Sequence, residues 1–256
     1  MTLRLGLCSV TLRHLDVPRV LAAAVEAGLE CVEWGADIHV PAGDEAVAAD
    51  VRAATEKTGL AVASYGSYYR AGHGDPAAFD DVLRSAVLLG APRIRIWAGA
   101  TGTDETSPDG RAAVIRDTRR VADLAAARGV HLAYEFHRNT LTDGADRTLG
   151  LLSDVGHSHV RTYWQPPLDM PDAEALGGLD TLIDQVAAVH AFSWWPGTTR
   201  HPLPVRADLW RAALARLRAH GHPRDVLLEF VPDNDERVLT REARSLRSLT
   251  DLPRKE

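Results

Sequence analysis

The chain has 256 residues, 45% hydrophobic and 25% charged, with 35 acidic against 29 basic side chains and a formal net charge of −6. That balance excludes a disordered, collagenous or fibrous protein and argues against a nucleic-acid backbone as partner. Two cysteines without CxxC spacing argue against a disulfide scaffold or a thiolate zinc site, and no stretch approaches the ~20 apolar residues of a membrane span. The opening MTLRLGLCSVTLRHL has no signal-peptide architecture, so a soluble, cytoplasmic protein without a membrane partner is expected.

Along the chain, short β-type runs alternate with Ala/Leu/Arg-rich segments of helical periodicity. The runs are LRLGLC from Leu3, LECVEW from Leu29, LAVASY from Leu60, PRIRIW from Pro92, VHLAYEF from Val130, HVRTYW from His159, VAAVHAF from Val186 and DVLLEF from Asp225. Gly28, Gly59, Gly90, Gly129 and Gly221 stand just before runs, where each would close a helix. Between them, VPRVLAAAVEAG, AAVIRDTRRVADLAAARG and LWRAALARLRAHG read as amphipathic helices with arginines toward solvent. Eight alternations without a linker predict one α/β domain over residues 1–256, a single (β/α)8 TIM barrel. A doubly wound sheet would carry a glycine-rich nucleotide turn after its first strand, and LGLCSVTLRHLD has none. GATGTDETSPDG lacks the Lys-Ser/Thr of a phosphate loop and reads as an ordinary βα loop.

In such a barrel the chemistry sits at the C-terminal strand ends. Run two ends in Glu33-Trp34-Gly35, run three in Tyr65, run four in Trp97. Side-chain alternation places Glu135 with His137, Tyr163 with Gln165, and His190 with Phe192 and Trp194 on common faces; run eight ends in Glu229. Glu135, Gln165, His190 and Glu229 thus come from four consecutive strands toward one mouth. Three oxygen donors and an imidazole suit Mn2+ or Mg2+, and admit Co2+ or Zn2+. Two carboxylates would neutralise the ion, which could still polarise a substrate carbonyl. Each residue alone has a plainer role: either glutamate as the ion-pair partner of an arginine, His190 as a hydrogen-bonded core residue. The four together carry the metal assignment.

With these residues in view, the chain resembles the xylose-isomerase-like barrel superfamily, the sugar phosphate isomerase/epimerases, over essentially its whole length. YEFHRNTLTDG is similar to the family's Glu-bearing strand and loop, VHAFSW to its metal-ligand His strand, RHPL to the arginine-bearing loop beyond, and LLEF to the last Glu strand. VEWGADIHVPAGD and IRIWAG resemble subgroup sequences. The resemblance implies Glu135 and Glu229 as both metal ligands and acid/base pair, with His190 a ligand. Its aspartate position falls near Gln165, where this chain departs from the pattern and offers an uncharged oxygen.

The expected activity is a metal-dependent isomerisation or epimerisation of a sugar, polyol or related hydroxy-carbonyl compound. One glutamate removes the proton beside the carbonyl, a metal-stabilised enediolate forms, and the other glutamate returns the proton. His137, Arg200, Trp97, Trp194 and Tyr65 are the candidate substrate-binding residues, the aromatics as stacking faces for a carbohydrate-like ligand. Two alternatives stand beside it: a dehydratase of the keto-inositol or dehydroshikimate type, and a non-catalytic sugar-binding barrel in which Gln165 marks a lost metal site. A DNA-repair nuclease of the same superfamily would need many more ligands and a basic groove. The substrate is expected to be unphosphorylated, because WWPGTTRHPLP and VPDNDE offer one glycine and several acids where barrels cradle phosphate. The resemblance suggests a homodimer.

Overall fold

In the computed structural model, which describes residues 3–250, every apolar run becomes a strand and every intervening segment a helix. The order is β1 (Leu3–Cys8), α1 (Val17–Glu26), β2 (Cys31–Gly35), α2 (Glu45–Lys57), β3 (Ala61–Arg70), α3 (Ala78–Leu89), β4 (Arg93–Trp97) and α4 (Pro108–Ala126). It continues with β5 (His131–Tyr134), α5 (Ala145–Val155), β6 (Val160–Trp164), α6 (Asp172–Leu182), β7 (Val186–Ala191), α7 (Ala207–His220), β8 (Arg224–Leu228) and α8 (Glu236–Leu249). The eight strands are parallel and closed, β1 pairing with β8 on one side and β2 on the other. This is a (β/α)8 barrel. The extreme ends of the expected 1–256 domain, residues 1–2 and 251–256, lie outside the described residues.

Local chemistry sets the helix limits. Asp16, Asp44, Ser107 and Asp235 each accept a backbone N–H of the first turn of the helix they precede. Gly90 and Gly221 close α3 and α7 at φ of 73° and 83°, a left-handed backbone that glycine adopts without penalty. β3 runs further than its apolar stretch, through Tyr65 to Arg70, because Arg70 pairs with Trp97 of β4 beyond an irregularity in register. No described helix is long and apolar enough to cross a membrane.

The main core lies between strands and helices, with Trp34, Phe79, Ile94, Leu132, Trp164 and Trp210 fully buried there. The barrel interior is different. Its middle layer is a small cluster of Cys31, Ala63, Ala133, Tyr163, Ala188 and Leu227. Gly6 is needed beside it, since a Cβ there would come within 2.5 Å of Cys31 Sγ and 2.7 Å of a Leu227 methyl. At the N-terminal end of the strands, Asp225 takes Arg4 Nε at 2.7 Å and Arg93 Nη2 at 2.8 Å. Charged and polar side chains fill the opposite end.

Candidate active site

The strand ends hold their functional residues by backbone pairing that continues past the strands. Glu135 N–H donates to Ile96 O at 2.9 Å, and Glu229 N–H to Ala191 O at 3.1 Å. Phe230, just after Glu229, sits at φ 51°, a left-handed conformation costly for an aromatic residue, with its N–H held by Thr11 Oγ1 at 2.9 Å. That turn follows Glu229, one residue past the end of β8, and brings Phe230 to the cavity wall.

At the floor, His190 is the hub. Its Nδ1 lies 3.2 Å from Gln165 Oε1 and 3.5 Å from Glu229 Oε2, while Nε2 faces Glu33 Oε1 at 3.3 Å. With a proton on Nε2 toward Glu33, the Nδ1 lone pair stands opposite two oxygens, a set of acceptors that a cation or a second ring proton would satisfy. Burial works against charging the ring, but Glu229 and Glu33 together raise its pKa. Burial likewise pushes the Glu229 carboxyl up, with Glu135 adding to it against the pull of His190. Burial would also raise Glu33, but Arg95 and His190 overcome it and hold that carboxyl well below its usual range. Ser64, Tyr163 and Cys8 donate to Glu33 at 2.6, 2.7 and 3.1 Å.

Glu135 is placed differently from the other three. Its Oε2 stands 2.9 Å from Arg95 Nη1, the ion-pair role that any such glutamate can take. It still lines the same cavity, a space of about 330 Å³ shared with His137, Arg138, Gln165, Trp194 and Glu229. The donor set fits a divalent ion: ligands about 2.1 Å from an octahedral metal lie about 3 Å apart, close to the spacings around His190 Nδ1. The buried Cys8 thiol comes within 4.8 Å of His190 and Glu229 donors, yet burial and the carboxylates push its pKa well up. It stays a protonated donor to Glu33 rather than a thiolate ligand.

Of the expected substrate-binding residues, His137 and Trp194 line the cavity. Trp97 packs at 4.7 Å against the His137 ring, with the Arg70 guanidinium 4.0 Å from its own ring. Arg200 stacks over Phe230 and Trp194 at 4.6 and 5.3 Å and donates to Asn234, with no carboxylate paired to it among the described residues. Tyr65 is a correction. It is fully buried in the outer core and its hydroxyl donates to Val40 O at 2.7 Å, so it packs under a loop and cannot meet a substrate. Alternation explains the miss: Ser64 and Glu33 face inward, which turns Tyr65 and Trp34 out toward the helices. Tyr65→Phe is therefore expected to cost about 1 kcal/mol of stability through the stranded Val40 carbonyl and to leave KM unchanged. A thermal melt and a saturation curve check both, and a raised KM would return Tyr65 to the site.

Two inward residues were not singled out from sequence as site residues, Glu33 and Arg95. The visible signal for the second is R-I-R-I in β4, charged residues alternating with apolar ones on a strand buried on both faces.

Comparison with known proteins agrees with this architecture. A family model described as the xylose isomerase-like TIM barrel matches residues 21–249. A 3-dehydroshikimate dehydratase of Bacillus anthracis is 33% identical over 69 residues; the match spans 27% of this chain and only a quarter, 25%, of that protein's length. Among solved structures, the probable 3-dehydroshikimate dehydratase of petrobactin synthesis from Bacillus anthracis superposes with a TM-score of 0.79, at 18% identity, over 95% of this chain and 98% of its own. The 3-keto-D-glucoside 4-epimerase of E. coli gives 0.75 at 18% identity over 96% and 100%. The D-psicose 3-epimerase of Clostridium cellulolyticum H10 gives 0.73 at 18% over 97% and 98%. At such identities the superpositions establish the shared fold alone. The family match covers most of the chain: this protein belongs to the xylose isomerase-like TIM barrel family.

Proposed function

We propose that the barrel is a divalent-metal-dependent enzyme that moves a proton beside a carbonyl in a carbohydrate-like substrate, as an isomerase or epimerase. The observation that carries this is the convergence of His190 Nδ1, Gln165 Oε1 and Glu229 Oε2 at the floor of a cavity that Glu135 also lines. Gln165, His190 and Glu229, with Glu135 beside them, would hold the ion. When bound, a divalent ion supplies positive charge for the developing enediolate. Glu229, beside the cavity and with burial raising its pKa, suits a group that takes and returns a proton, and Glu135 is the second proton carrier. Glu33 orients His190 from behind. Trp194 lines the cavity and offers its ring face to a carbohydrate-like substrate.

A second reading, a dehydratase, is favoured by the local identity to the Bacillus anthracis enzyme. The Arg200 guanidinium, which has only a neutral partner, Asn234, among the described residues, would suit a substrate carboxylate. Both readings share the proton abstraction and differ in whether water leaves. One experiment covers them. Free ketoses, keto-glycosides, their phosphate esters and 3-dehydroshikimate are incubated with protein in D2O, with and without EDTA. Exchange of the proton next to the carbonyl is expected, abolished by EDTA and restored by Mn2+, with phosphate esters no better than free compounds. Ultraviolet absorbance of a dihydroxybenzoate would select the dehydratase. Exchange that survives full chelation, or none with any compound, would overturn the proposal.

A further inference from the structure

β4 sends two guanidinium groups into the barrel. Arg93 pairs with Asp225 at the far end, but Arg95 lies level with the donor cluster and is 3% exposed. Its Nη1 is 2.9 Å from Glu135 Oε2 and its Nε 3.5 Å from Glu33 Oε1; Nε makes no aligned hydrogen bond. Gly66 passes so close that a Cβ there would stand 3.0 Å from Arg95 Nη2 and 3.2 Å from Glu33 Oε1, so β3 leaves room for this pair. A buried guanidinium between two carboxylates is a resident cation next to a site that would receive another.

The charges decide what that means. Glu33, Glu135 and Glu229 contribute three negative charges, Arg95 one positive, and a neutral ligand His190 none. With the three carboxylates ionised and His190 neutral, as ion binding demands, the floor carries two net negative charges, which one divalent ion cancels. Glu33 offers its charge from behind His190 and Arg95, while Arg95 opposes an incoming cation and engages one oxygen of Glu135. We propose that Arg95 is a positioning residue that weakens ion binding at this site, balanced by Glu33, so that the pair sets how tightly the barrel holds its metal. This rests on Gln165, His190, Glu229 and Glu135 being the ion-holding set.

Opposite charge changes must then act in opposite directions. Metal-stripped wild type, Arg95→Gln, Arg95→Lys and Glu33→Gln are compared by Mn2+ titration, free Mn2+ being read by electron paramagnetic resonance. Circular dichroism confirms that each variant is folded. Charges this close in a largely dry site interact strongly, so Arg95→Gln is expected to bind Mn2+ at least about tenfold tighter and Glu33→Gln at least about tenfold more weakly. Arg95→Lys keeps the charge and should stay within about threefold of wild type. Should Arg95→Gln fail to fold, Arg95→Met, which also removes the charge, takes its place. Equal affinities in all four proteins, or a Lys variant as tight as the Gln variant, would overturn the inference alone. Absence of Mn2+ binding by wild type and every variant would overturn the ion-holding assignment as well.

Discussion

Glu229→Gln is expected to lower turnover by about 10²–10⁴-fold, the usual contribution of a positioned acid/base group, with the fold unchanged. The side chain is 5% exposed, anchored by its backbone bond to Ala191 and by the Phe230 turn, so an isosteric amide has the same place to sit. The amide keeps an oxygen at the floor but cannot take a proton, and it removes one negative charge opposite His190 Nδ1. Both changes act on the step beside the carbonyl, so kcat should fall more than KM rises. Glu135→Gln should lose activity similarly, and it also releases Arg95 from its 2.9 Å partner. The check is proton exchange and product formation on the active compound, beside a melting curve for each variant. Retention of more than about a tenth of wild-type turnover by either would fall outside the range of acid/base catalysis and remove that glutamate from the proton-transfer role.

The barrel was legible because its strands are short apolar runs at regular intervals, five of them preceded by a glycine that the structure places at positive φ: 67°, 78°, 73°, 71° and 83° at Gly28, Gly59, Gly90, Gly129 and Gly221. The inward placement of Gln165, His190 and Glu229 was legible for a second reason. In β5 to β8 the residues two apart at each strand end share a face, so one residue fixes the parity of the next. That logic fails in β2 and β3. There the inward residues are Glu33 and Ser64, paired just beyond a register shift, so the conspicuous last residues of the two apolar runs are the wrong ones to pick. Trp34 and Tyr65 stand at conspicuous strand ends but face the helices, with Trp34 Nε1 donating to Thr55 of α2. Glu33, one residue earlier, is the side chain that reaches the site. Arg95 was hidden by composition: in an arginine-rich chain a guanidinium is ordinarily a surface group, and only its three-dimensional partners Glu33 and Glu135 make it a buried one.

The largest expected loss of stability lies at the other end of the barrel. Asp225 is 7% exposed and accepts from both Arg4 and Arg93, and Arg93 also donates to Tyr163 Oη and Ala63 O at 3.2 Å each. Asp225→Ala would leave Arg93, whose side chain is only 13% exposed, with a positive charge and only neutral acceptors among the described residues. Stranding one partner of a buried pair costs about 3–5 kcal/mol, or about two to four orders of magnitude in the folding equilibrium at 1.4 kcal/mol per decade. Asp225→Asn keeps the shape and one acceptor oxygen, so it should lose less. Urea unfolding reads both, as a lower midpoint at unchanged slope. The consequence for the site is the more informative half. Tyr163 joins Arg93 to Glu33 through its hydroxyl, yet the charges of Asp225 and of the donor cluster are separated by the layer of Cys31, Ala133, Ala188 and Leu227. Mn2+ affinity in Asp225→Ala should then stay within about threefold of wild type, as for independent sites, while Glu33→Gln shifts it strongly. A stability loss below about 1 kcal/mol would show that Arg93 finds solvent when its partner is gone. A large change in Mn2+ affinity would instead show that the Arg93–Tyr163–Glu33 chain transmits charge along the barrel axis.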